Sequence, residues 1–132
     1  MNTVRNLQAF TLVELVMVIV IIGLLAAVVV PQFGDMRTQA QTAAENATAS
    51  AIISGIKLAH MTNLTHGTDT FPTTLDSATV GLASATNPLF TTVIENGVTD
   101  SNWKKTAAAA YQYLPSGNAY AYASATGLFT KQ

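Results

Sequence analysis

The chain has no cysteine among its 132 residues, which excludes a disulfide scaffold, a thiolate metal centre and a cysteine nucleophile together. Charge is also scarce. Only 10% of residues are Asp, Glu, Lys or Arg, against roughly 25% in average soluble domains. Six basic residues stand against seven acidic ones, for a net charge of −1, and no basic run is present, which argues against nucleic acid as a partner. There is no Ser/His/Asp constellation, no glycine-rich phosphate loop and no pair of carboxylates on a rigid element, so no catalytic residue and no enzyme activity are expected. His60, His66 and Asp69 lack metal-ligand spacing, and Asp76, Glu95 and Asp100 are scattered. Neither a metal site nor another cofactor is expected.

What the chain does have is hydrophobicity in one place. Leu15–Val30 reads LVMVIVIIGLLAAVVV, and from Phe10 to Val30 the only ionisable side chain is Glu14. As a helix this run is about 30 Å long, the thickness of a bilayer's hydrocarbon core. A buried core helix would need an apolar coat, and the remaining residues, rich in Thr, Ser, Asn and Ala, cannot supply one. The expectation is therefore a single membrane span, with Arg5 favouring a cytoplasmic amino terminus. Unlike an ordinary secretory signal, the short polar stretch MNTVRNLQA leads directly into the apolar run. Any cut after Ala9 would leave the span on the product. Glu14 stands out, because a carboxylate placed centrally in a bilayer costs about 2.5–3.5 kcal/mol. Nothing else in the span is ionisable, so its expected partner lies outside this helix. A free α-amino group, created by a nearby cut, would serve.

The segment Ala9-Phe10-Thr11-Leu12-Val13-Glu14-Leu15, followed by the apolar run with Gly23 and Pro31, resembles the class III signal of type IV pilins and type II secretion pseudopilins. The resemblance covers the first quarter of the chain and departs from the pattern at Ala9, where the family usually has Gly. It implies a leader at 1–9, cleavage between Ala9 and Phe10 by a prepilin peptidase, and methylation of the new amine on Phe10. It further implies a homopolymer in which Glu14 of one subunit pairs with the Phe10 amine of a neighbour, with Gly23 and Pro31 as points of helix flexibility. A span in the inner membrane before assembly, the pilus assembly machinery as partner, and a surface filament afterwards follow from the same resemblance. A filament of this kind serves roles such as cell adhesion. Two rivals remain: a secretion pseudopilin, and a minor pilin acting as a tethered binding module. Such pseudopilins usually carry a calcium loop near the carboxyl end, and this chain has no acidic residue after Asp100. That favours the pilus subunit.

Beyond Pro31 the residues Phe33, Met36, Ala40, Ala43, Ala47, Ala51 and Gly55 recur at helical spacing. They predict one helix from about Thr11 to Met61, with a small-residue face for packing and a break at Asn63–Thr70. Asn87-Pro88 reads as the start of a short helix through Ile94, with Gly97 at its exit. Tyr111 and Tyr113, then Tyr120 and Tyr122, alternate on either side of Leu-Pro-Ser-Gly-Asn. This predicts a hairpin of 111–114 with 119–123 and, after Ala125-Thr126-Gly127, a last strand at 128–131. The tyrosines read as half-buried sheet surface rather than as an aromatic binding face. The sequons Asn46-Ala-Thr48 and Asn63-Leu-Thr65 are expected by chance in such a composition. The expected fold is α+β: a long amino-terminal helix with a small antiparallel sheet of three or four strands. Its divisions are a leader (1–9), a transmembrane or filament-core helix (10–30), an amphipathic continuation (31–62) and a globular head (63–132).

Overall fold

The computed structural model describes residues 10–132, except for the side chains at 30–33. Ala9 and the leader lie outside the described residues, and so does the side chain of Pro31. The chain divides into two compact units, 1–39 and 40–132.

Helix α1 spans Leu12–Thr65 and runs through both Gly23 and Pro31. In the first unit every described side chain from Phe10 to Val29 is exposed, and the stretch is long and apolar enough to cross a membrane. Around Gly23 there is open space where a Cβ would stand.

The second unit packs the rest of α1 against a five-stranded antiparallel sheet. Its strands are β1 (Gly81–Leu82), β2 (Trp103–Ala107), β3 (Ala110–Tyr113), β4 (Asn118–Ala123) and β5 (Leu128–Lys131), in that spatial order. The tyrosine hairpin forms as expected, with Tyr111 opposite Tyr120 and Tyr113 opposite Asn118, while Tyr122 stands opposite Phe129. All four tyrosines point inward, with Trp103, Phe90 and Phe129, to make an aromatic core. Tyr120 and Phe129 stack at 5.2 Å, and Phe90 meets Trp103 edge-on at 5.5 Å. The alternating stripe is thus buried core, more enclosed than a half-buried surface. β1 and β2 extend the sheet beyond the expected three or four strands.

The packed face of the helix differs from the expected one. Ala40, Ala43, Ala47 and Ala51 are exposed, and Met36 is exposed too. The face that enters the core carries Glu45, Ile52 and Ile56, flanked by Ala49, Ile53 and Gly55. Ile52 and Ile56 bury more apolar area than alanines can, and they set the rotation of the helix. Gly55 belongs to both faces and is needed at the edge of the packed one. A Cβ there would stand 2.0 Å from the Val93 carbonyl oxygen.

The helix runs one turn past Met61, and the chain reverses at Gly67 with φ +82°. Gly67 N–H donates to the Leu64 carbonyl, and Thr68 N–H to that of Asn63, closing the helix end. The following segment is pinned to α1 by His60, whose Nε2 lies 2.8 Å from Asp69 Oδ1 and whose ring stacks on Phe71 at 4.0 Å.

The short helix expected from Asn87 does not form. Leu89 instead bridges to Val98, and Phe90 takes a left-handed conformation, φ 62°. Such a residue ends any helix started at Pro88 and costs of the order of 1–3 kcal/mol, offset here by complete burial of the ring. The Asn87 side chain caps no helix. It ties Thr79 to Leu82, accepting from Thr79 N–H at 3.0 Å and donating to the carbonyls of Thr79 and Leu82. Gly97 still makes the turn, at φ 62°.

Candidate functional site

At the start of α1 the backbone amides have no partners within the helix. Thr11 and Glu14 meet that need reciprocally. The Thr11 hydroxyl accepts from Glu14 N–H at 3.3 Å, and Glu14 Oε2 accepts from Thr11 N–H at 3.0 Å and from the Thr11 hydroxyl at 2.9 Å. This is a capping box, and its Thr-x-x-Glu signature was present in the sequence. Within its own chain Glu14 is thus held by Thr11, which supplies hydrogen bonds and carries no charge. Phe10, one residue before the cap, is 81% exposed, and the neighbouring Leu12 and Val13 are also exposed. The arrangement offers a carboxylate fixed at the helix mouth, beside an open apolar surface.

Residues 4–30 match the family model for the prokaryotic N-terminal methylation motif. The chain shows its likeness to this family over its amino-terminal segment. It is 50% identical over 52 residues to the type IV narrow pilus major component PilA5 of Thermus thermophilus. That match covers 39% of this chain and 45% of the relative. No solved structure matches. Of the expected site residues, Phe10 and Glu14 lie within one turn of each other at the helix start, whereas Gly23 is far along the span.

The head carries polar chemistry that the sequence did not announce. Glu45, 1% exposed, accepts from the Tyr120 hydroxyl at 2.6 Å and from the Asn118 amide at 2.7 Å, with Lys131 Nζ at 3.6 Å. Burial pushes its carboxyl up, but the hydrogen bonds from Tyr120, Asn118 and Ser116, with the Lys131 charge, outweigh this and leave it below the usual carboxylate value. Tyr120 is pushed up in turn, by burial and then by Glu45.

A second cluster centres on Asp76. Its carboxylate accepts from Lys105 Nζ at 2.5 Å, the Tyr111 hydroxyl at 2.9 Å, Phe90 N–H at 3.0 Å and Ala78 N–H at 3.1 Å. Four donors on one buried carboxylate explain why a charge is tolerated there. No sequence signal links Asp76 to Lys105, since the residues meet only through the packing of β2 on the preceding loop. Among the described residues no three His, Asp or Glu side chains converge as a metal site would require.

Proposed function

We propose that this chain is the structural subunit of a type IV pilus-like filament, assembling with copies of itself through its amino-terminal helix. A prepilin peptidase cuts between Ala9 and Phe10, and the new amine of Phe10 is methylated. The subunit waits in the inner membrane as a single-pass protein, with lipid around residues 10–30, and is handed by the pilus assembly machinery to a surface filament. It works by assembly alone and not as an enzyme.

The observation that carries this reading is the fully exposed apolar helix start with Glu14 fixed four residues from Phe10, inside the segment that matches the methylation motif. That surface is stable only against lipid or other apolar helices. Transfer from lipid to a filament core keeps the surroundings apolar. The carboxylate then gains the ammonium of a neighbour's Phe10 in exchange for its place in the capping box. A single buried polar pair of this kind can fix register between helices. Gly23 and Pro31 are the points where the helix can loosen during that transfer.

Mass analysis of sheared surface filaments tests the proposal. The expected result is an abundant chain that begins with methylated Phe10. Chains that still begin at Met1 would overturn the processing step, and a chain nearly absent from sheared filaments would point to the secretion or tip-located relatives.

A further inference from the structure

The Asp76–Lys105 pair is enclosed on every side, with side-chain exposures of 0% and 7%, and the pilus reading makes no use of it. An amine and a carboxyl held together in a buried contact are the reactants of an amide. Most buried ion pairs stay ionic, so the placement of the surrounding donors matters.

The two carboxylate oxygens are treated differently. Oδ2 is held by Phe90 N–H and the Tyr111 hydroxyl, whereas Oδ1 faces Lys105 Nζ and Ala78 N–H. Two fixed donors on one oxygen are what a tetrahedral intermediate needs as negative charge develops there. Lys105 Nζ is also steered by the Ala78 carbonyl at 3.0 Å. Burial and the neighbouring Asp76 push the Tyr111 hydroxyl well above its ordinary pKa, so it remains a donor at neutral pH. Phe90 holds the left-handed conformation that aims its N–H at Oδ2.

We infer that Lys105 and Asp76 condense to an intramolecular amide that cross-links strand β2 to the loop before β1. The reaction starts when one proton passes from the Lys105 ammonium to the Asp76 carboxylate along their hydrogen bond. Nζ then attacks Cγ, and the oxyanion forms on Oδ2 between Tyr111 and Phe90. The Cγ–Oδ1 bond breaks, and Oδ1 leaves as water with two of the three ammonium protons. The third stays on the amide nitrogen. Ammonium plus carboxylate gives amide plus water, so no oxidant or co-reactant is required. Effective molarities of about 10⁵–10⁸ M for well-oriented groups lower the barrier, and burial of the pair limits the access of water needed for the reverse reaction. The bond ties residues 29 apart in sequence. It would give this cysteine-free head a covalent closure.

Intact mass and tryptic mapping of the purified full-length chain decide the matter. The wild type is expected to be lighter than its sequence mass by one water, apart from any amino-terminal processing. Trypsin cannot cut after an acylated Lys105, so peptide 58–104 should appear joined to 105–131. Lys105→Arg keeps the positive charge but has no amine to acylate, and it should restore the full mass. Tyr111→Phe should slow formation, so that freshly made chains are mostly unlinked. A wild type of full mass that releases 58–104 and 106–131 separately would overturn the inference and leave a plain ion pair. So would a water loss that persists in Lys105→Arg. Peptide 58–104 lighter by one water but unlinked would also overturn it, as the mark of a succinimide at Asp76.

Discussion

Along residues 12–29 almost every side chain is apolar and every one is exposed, whereas the head, built largely from Thr, Ser, Asn and Ala, encloses three charged residues, Glu45, Asp76 and Lys105. The two regions show that composition does not decide burial by itself. The first has nothing of its own to pack against, so its surroundings must be apolar for it to be stable there. The second can bury charge because each charged group arrives with partners from other elements. Glu45 comes from the helix and meets Tyr120 and Asn118 of β4, and Asp76 comes from a loop and meets Lys105 and Tyr111 of β2 and β3.

The largest effect that would separate the regions is expected at Glu14. Glu14→Ala should leave membrane insertion intact, because it removes a charge from the span. It should abolish filaments, because a neighbour's Phe10 amine is left without a counter-charge. Counting filaments and membrane-bound subunit in the same cells checks both halves, and normal filament numbers would show that the pair is dispensable.

Next in size is Asp76→Ala, which strands Lys105, Tyr111 and the Phe90 amide in the core. Losing one partner of a buried pair costs about 3–5 kcal/mol, so a large fall in the head's melting temperature is expected, read by near-ultraviolet circular dichroism in detergent. Glu45→Ala should cost about 2–3 kcal/mol, from hydrogen bonds to a charged group.

Glu45 also predicts a pH dependence. Its folded carboxyl lies below the ordinary value of 4.5. Its contribution is therefore present in full above that value and is lost as the pH falls through the lower, folded value. Denaturant titrations in moderate acid should show a decline in wild type that is weaker in Glu45→Gln.

Gly55→Ala forces a Cβ against the Val93 carbonyl and should cost about 1–3 kcal/mol as the loop is displaced. The smallest effect is expected from Thr11→Ala. It removes half of the capping box, worth about 1 kcal/mol of helix stability, and filaments should persist. If Thr11→Ala abolished filaments as fully as Glu14→Ala, the role of Glu14 would be capping rather than pairing between subunits.

How much was legible follows from which signals are local. The span, the tyrosine hairpin and the strand at 128–131 could be read directly, because hydrophobic run length, alternation and Gly-containing turns are properties of neighbouring residues. The capping box is equally local, since Thr11 and Glu14 stand three residues apart at the helix start. The helix face was misread because alanines at helical spacing resemble a packing stripe, while the outcome was set by Ile52 and Ile56. Asn87-Pro88 carried a valid helix-start signal that the left-handed Phe90 overrode, held there by the Asp76 carboxylate fourteen residues earlier.

The sequence by itself determined the long apolar helix, the position of its one charge, the absence of any cysteine staple and the antiparallel hairpin at the carboxyl end. Each depends only on residue chemistry over a few turns or strands. Only the tertiary structure decided that β2 exists and which helix face is buried. Trp103-Lys104-Lys105 does not read as a core strand, because its second inward position is a lysine. It becomes one when Asp76 supplies a counter-charge inside the core. Glu45 likewise reads as a surface residue until Tyr120 and Asn118 meet it. A charged side chain is buried only where distant residues satisfy it, and sequence spacing carries no record of which residues those will be.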